Sequence, residues 1–307
     1  MLEKHFADRL ASAVRRVGNP VLVGLDPRIE SLPPGLIQGE GYAAVARGYV
    51  AFCRGIIDVV APLVAAVKPQ SAFFEQLGPA GCVALAEVIQ YAAAKGLLVI
   101  LDGKRNDIGS TAQGYAEAYL GAANASPWGA DALTVSPYLG DDSLTPFMDV
   151  AKARGAGIFV LVKTSNPGGK RFQDIRANGR PIYCHVADYV EELAAATIGE
   201  QGYGRAGAVV GATYPHELSE LRQAMPHTWF LIPGFGAQGG TAADCAAAFD
   251  TRGLGAVINN SRGIIFAHSR PEYKGRFGAA QWQDAAEAAT LDMIAQLRAE
   301  TPASLLV

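Results

Sequence analysis

The stretch Asp102-Gly103-Lys104-Arg105-Asn106-Asp107 sets two carboxylates on either side of an ammonium. Carboxylates and an ammonium held this closely are the means of electrostatic and acid–base chemistry. They follow the apolar run Leu97-Leu98-Val99-Ile100-Leu101, which reads as a buried parallel strand. Asp102 and Lys104 are two apart, so on an extended chain they point to the same side. Asp107 comes after the turn, where a helix begins. Charges gathered at a strand end are costly unless they are used. The plainer reading is a strand, a polar turn in which Lys104 is a solvated surface charge, and a helix capped by Asp107.

Other polar residues close apolar runs in the same way. Asp26 ends the first run and precedes Pro27, a place where an aspartate starts a turn. Lys68 ends the second run, and Pro69 keeps it extended. Ser165, with Thr164 and Asn166 beside it, lies just past the fifth. Two segments suit an anion: Pro233-Gly234-Phe235-Gly236-Ala237-Gln238-Gly239-Gly240 and Asn260-Ser261-Arg262-Gly263. Their glycines let backbone N–H groups approach closely, and Arg262 carries a planar fork matched to phosphate oxygens. Taken alone, such glycines do no more than make turns.

These residues need elements to bring them together. Short apolar runs at 21–26, 64–68, 97–102, 132–136, 157–163, 206–211, 229–233 and 256–259 read as eight strands. Helical patterns lie between them at 42–60, 73–95, 110–122, 141–154, 185–198, 215–223 and 242–249. Strands alternating with helices imply parallel pairing through right-handed crossovers. Eight such units predict an α/β fold of the (β/α)8 TIM-barrel class. No G-x-G-x-x-G follows the first strand, as a dinucleotide-binding open sheet would require. One domain is expected over residues 1–307, with a barrel core of about 20–270. Helices around 5–17 and 279–299 are expected to pack outside it. Residues 166–183 read as a long loop, a lid or wall over the ligand or a plain surface excursion. In such a barrel the active site lies at the strands' C-terminal ends, and the loops after strands seven and eight form the recurrent phosphate site. Every polar residue named above falls at that end.

Composition sets bounds. The chain has 307 residues, 50% of them hydrophobic, and a formal net charge of −3. No long basic run supports nucleic-acid binding. The N-terminus lacks the apolar core of a signal peptide, and no run spans a bilayer. Cys53, Cys82, Cys184 and Cys245 are widely spaced and read as small buried hydrophobes. A cytoplasmic protein is expected. The five histidines show no metal-ligand spacing, and the three tryptophans read as packing residues.

Six segments, in order, resemble those of orotidine 5′-phosphate decarboxylases. They are the Asp102–Gly109 stretch, Val23-Gly24-Leu25-Asp26-Pro27, Val67-Lys68-Pro69-Gln70, Val162-Lys163-Thr164-Ser165-Asn166-Pro167-Gly168, Ile232-Pro233-Gly234-Phe235-Gly236 and Asn260-Ser261-Arg262-Gly263. The Thr-Ser-Asn-Pro-Gly form and the length resemble the longer bacterial branch. The resemblance implies decarboxylation of orotidine 5′-monophosphate to uridine 5′-monophosphate, the last step of de novo pyrimidine nucleotide synthesis, without a cofactor or metal. It implies a catalytic set of Lys68, Asp102, Lys104 and Asp107, with Lys104 as proton donor. Asp102 would repel the departing carboxylate or hold Lys104. Asp26 would bind a ribose hydroxyl, Ser165 the pyrimidine, and Ile108 and Thr111 the substrate. Pro233, Gly234, Gly236, Gln238, Gly239, Arg262 and Gly263 would form the phosphate end, Gln238 bridging to the base. The resemblance also implies a homodimer in which Asp107 and Thr111 reach the neighbouring site. Two other readings are a Mg2+-dependent sugar-phosphate decarboxylase or aldolase of the same superfamily, and a phosphate-ligand-binding barrel without chemistry. Lys68 and the Thr164-Ser165-Asn166 segment weigh against the first, and the intact charge set against the second.

Overall fold

A computed structural model describes residues 5–121, 125–212, 215–236 and 240–306. Eight strands form a closed ring: β1 (Val21–Leu25), β2 (Ala66–Pro69), β3 (Leu98–Arg105), β4 (Ala132–Val135), β5 (Gly157–Lys163), β6 (Ala206–Val210), β7 (Phe230–Ile232) and β8 (Ala256–Asn260). Each is parallel to its sequence neighbours, and β8 closes on β1. The fold is the expected (β/α)8 barrel, with strand limits shifted by a residue or two except at β3, which runs three residues further.

Alternation explains why both faces are apolar. Val99 and Leu101 of β3 pack outward among the helices, while Leu98 and Ile100 belong to the inner cluster. The inner cluster takes Leu22, Ala66, Ala132, Phe159, Val209, Leu231 and Val257 from the other strands. A strand buried on both sides reads as a continuous apolar run.

The helix Phe6–Val17 departs from expectation. It covers the N-terminal mouth of the barrel and does not join the outer ring. Phe6, Leu10 and Val14, spaced four apart, enter the inner cluster, and the Phe6 ring meets Phe159 edge-on at 6.0 Å. An apolar stripe of that spacing seals a floor that water would otherwise reach. The C-terminal helix Trp282–Glu300 packs in the outer layer against Gly41–Val60. The expected helix 73–95 is two helices, Ser71–Glu75 and Pro79–Ala94. The break falls at Gly78, whose φ is 64°, before a proline that cannot continue a helix. Residues 166–183 are not a bare loop. They hold a 3-10 turn Pro167–Gly169, a helical turn Lys170–Gln173 and a hairpin pairing Arg176–Ala177 with Arg180–Pro181. Its turn is Asn178-Gly179, both left-handed at φ 51° and 78°, the two-residue hairpin signal.

Candidate active site

The site is the next inward layer above the apolar ones. Along β3 the inward series Leu98, Ile100 continues to Asp102; along β2, Ala66 leads to Lys68; along β4, Ala132 leads to Thr134. These three line a cavity of about 290 Å3 at the C-terminal mouth, together with Asp26, Lys104 and Ser165. The opposite wall is apolar: Leu161, Val209 and Leu231, from β5, β6 and β7. One side of the cavity is therefore charged and the other greasy.

Asp102 organises the charged side. Its Oδ2 accepts from Lys68 Nζ at 2.8 Å; its Oδ1 accepts from Lys104 Nζ at 2.5 Å and from Thr134 Oγ1 at 2.9 Å. Burial alone would push the Asp102 carboxyl up. The adjacent Lys68 and Lys104 ammoniums outweigh it and hold the group well below the usual carboxylate range. Burial would likewise lower the Lys68 ammonium, but the Asp102 and Asp26 carboxylates raise it above its ordinary value. Both groups stay charged because each is buried against the other.

Lys104 reaches Asp102 through a distorted strand. The β3–β4 register breaks between Leu101 and Arg105, and Lys104 takes φ 45°. Its N–H is held by Thr134 Oγ1 at 2.9 Å. A left-handed lysine costs roughly 1–3 kcal/mol, and such strain collects at functional sites. The two-residue spacing thus puts Asp102 and Lys104 on one side through a bulge, where a regular strand was expected.

A second cavity, of about 520 Å3, adjoins the first and shares Phe235, Asn260 and Arg262 with it. Pro233 and Gly234 line the first; Gly236 and Gly263 line the second. Gly234 and Gly236 have φ of 99° and 68°, a tight turn that glycine makes at no steric cost; the Gly236 N–H donates to the Gly240 carbonyl at 2.9 Å and the Gly263 N–H to Asn260 Oδ1 at 3.1 Å. Arg262 begins the short helix Arg262–Ile265 and is exposed. Among the described residues its side chain makes no hydrogen bond or ion pair, so its fork is open to an anion. Asp26 Oδ1 is buried in the first cavity without a donor, an acceptor left open to a bound hydroxyl or a water.

Asp107, Ile108 and Thr111 do not join this cavity. Asp107 Oδ1 accepts from the Ile108 N–H at 2.8 Å, and Ile108 and Thr111 are exposed at the start of the helix Gly109–Tyr119. Gln238 and Gly239 lie outside the described residues. Sequence reasoning did not single out Thr134, which holds both Asp102 and Lys104, or Asn259, whose Oδ1 is buried without a donor in the first cavity. The available signal was a polar residue at an inward position of an apolar strand.

Comparison with known proteins bears on the family and the fold. The family model described as Orotidine 5′-phosphate decarboxylase / HUMPS family matches residues 20–276. An orotidine 5′-phosphate decarboxylase of Rhodopirellula baltica is 58% identical, over 95% of this chain and 99% of its own. One from Deinococcus radiodurans is 44% identical, over 80% and 83%. Among solved structures, Leishmania donovani OMP decarboxylase superposes with a TM-score of 0.73 at 34% identity, over 96% of this chain and 98% of its own.

Proposed function

We propose, for a chain that belongs to the orotidine 5′-phosphate decarboxylase family and is therefore a carboxy-lyase of pyrimidine synthesis, that the Lys68–Asp102–Lys104 group carries the chemistry. The observation behind this reading is Asp102 receiving Lys68 on one oxygen and Lys104 on the other at the mouth of the barrel. The substrate is orotidine 5′-monophosphate and the product uridine 5′-monophosphate.

The bond between the ring carbon and the carboxylate breaks, CO2 leaves, and the electron pair stays on the ring carbon. The Lys104 ammonium lies beside that carbon, stabilises the growing negative charge and then donates its proton to it. Solvent reprotonates Lys104, whose side chain is 47% exposed. Asp102 orients Lys104, supported by Thr134. A substrate carboxylate ~4 Å from Asp102 would also be repelled by roughly 4 kcal/mol at an effective dielectric near 20, repulsion that departure of neutral CO2 relieves.

Ser165 bonds the pyrimidine, whose faces pack on the apolar wall. Asp26 takes a ribose hydroxyl. Arg262 takes the phosphate, with Gly234, Gly236 and Gly263 shaping the two loops closely around it and Gln238 and Gly239 from the first of them. Asp107, Ile108 and Thr111 serve a neighbouring site in a homodimer. Exposed Ile108 and Tyr138, at the ends of adjacent strands β3 and β4, are the kind of apolar surface an interface buries. We place the reaction in the cytoplasm, a compartment that suits four unpaired thiols; among the described residues no helix is long and apolar enough to cross a membrane.

The test is loss of orotidine 5′-monophosphate absorbance on addition of the protein with a chelator present. Turnover unaffected by chelator is expected. No turnover, or turnover that chelation abolishes and Mg2+ restores, would overturn this metal-free mechanism.

A further inference from the structure

Residues 166–183 leave the barrel after β5 and return to it on Lys163 and Thr164, the two residues before Ser165. We infer, resting on the reading of Ser165 as the pyrimidine contact, that Gln173 and Asp174 are positioning residues: they clamp the end of β5 so that Ser165 meets the base in one geometry.

Gln173 binds Thr164 twice. Its Oε1 accepts from the Thr164 N–H at 3.0 Å, and its Nε2 donates to Thr164 Oγ1 at 2.8 Å. Thr164 Oγ1 in turn donates to Asn166 Oδ1 at 2.7 Å. Thr164 and Asn166, the two neighbours of Ser165, are thus tied to each other and to the excursion.

Lys163 anchors the other end. The β5–β6 register is irregular between Leu161 and Lys163. On a regular strand Lys163 would follow Leu161 into the cavity; the bulge turns it outward. There its buried ammonium pairs with Asp174, lies 4.0 Å from Glu217 and sits 4.5 Å from the Tyr183 ring centroid. A buried ammonium needs such partners, so Asp174 is held to the barrel. On the far side, a Cβ on Gly211 would come within 2.9 Å of Ser165 N, Cα and Cβ. Ser165 therefore rests against Gly211 while Gln173 fixes the residue before it.

A hydroxyl that reads a base must be held to a fraction of an ångström, and that depends on what supports it. Loss of the clamp should cost binding of the base and leave binding of the sugar phosphate alone. The experiment compares uridine 5′-monophosphate with ribose 5-phosphate, by calorimetry, on the full chain. Gln173→Ala should weaken uridine 5′-monophosphate about tenfold, equivalent to ~1.4 kcal/mol, with ribose 5-phosphate unchanged within twofold. Gln173→Glu keeps an acceptor for the Thr164 N–H and should recover most of the loss. Ser165→Ala should show the same base-specific loss.

If Ser165→Ala behaves so but Gln173→Ala binds both ligands like the parent, or loses both equally, the clamp is wrong and the role of Ser165 stands. If Ser165→Ala leaves uridine 5′-monophosphate binding intact, the pyrimidine reading falls and the clamp with it.

Discussion

Asp131 and Asp102 are two buried aspartates at opposite mouths of one barrel, 8% and 7% exposed. Asp131, just before β4, faces the sealed end. Its Oδ1 pairs with Arg9 of the N-terminal helix and its Oδ2 accepts from the Val99 N–H at 2.8 Å. Phe6, Leu10 and Val14 shut that end from water. Asp102 faces the open end. Its partners are two lysines and a threonine, one of those lysines is half exposed on a strained backbone, and unsatisfied acceptors on Asp26 and Asn259 share its cavity. An ion pair closed by apolar packing and a backbone N–H serves the fold. A similar pair left beside a cavity, with strain and orphaned acceptors around it, serves a ligand.

The sharpest way to break this contrast is to remove the charge at the open end. Lys104→Ala should lower turnover by at least ~10³-fold, the scale of deleting a group needed mainly in the transition state. Thermal unfolding should stay close to the parent's, because the side chain is half exposed. Near-parental turnover, measured by orotidine 5′-monophosphate absorbance, would remove Lys104 from the chemistry.

The second effect concerns whether the open end is complete within one chain. Asp107 lies outside its own cavity, so a two-fold dimer in which each site borrows it should allow complementation. Asp102→Asn and Asp107→Asn chains, each nearly inactive alone, should recover roughly a quarter of parental activity when mixed. Half the dimers are then mixed, each with one intact site. No recovery, once native mass spectrometry has established exchange, would return Asp107 to its own chain.

The closed end should respond in the opposite way. Asp131→Asn removes the buried carboxylate that pairs with Arg9 and should cost about 1–3 kcal/mol of stability, read by denaturant unfolding. Turnover at a temperature well below unfolding should stay within about twofold. A large loss of turnover with unchanged stability would erase the distinction between the two ends.

Much of this contrast could be read from the chain, and the rest has identifiable physical reasons for being hidden. Strands buried on both faces must be apolar throughout, so all eight stood out. Lys68 and Asp102 stood out because each ends such a run with a charge. The same uniformity concealed which positions face inward: Thr134 and Asn259 look like ordinary polar residues near strand ends until the closed barrel gathers them into one cavity with Asp102 and Lys68. The bulge that turns Lys104 back over Asp102 is a matter of register with β4, which one strand's sequence does not carry. The Phe6–Leu10–Val14 stripe predicts a buried helix face but not that it lies on the barrel floor. Asp107, Ile108 and Thr111 line neither cavity, and the role expected of them involves a second copy of the chain.

The smallest effect is the dependence of Asp102's contribution on pH. In the folded chain its carboxyl lies well below the usual range: burial would raise it, but Lys68 and Lys104 lower it further than burial raises it. In the unfolded chain it lies near ~3.9. Above that value both states are ionised and the contribution is complete. As pH falls below it, the unfolded chain takes up the proton first, and stability is lost on the way down to the folded value. Stability of the parent relative to Asp102→Asn should therefore be flat from about pH 5 to 7 and shrink below about pH 4. Denaturant unfolding of both chains across that range reads the difference. A gap that widens on acidification would mean Asp102 binds its proton more tightly folded than unfolded. Asp102 would then be a desolvated acid and not the ionised centre of a lysine pair, and the electrostatic contrast with Asp131 would fail at its open end.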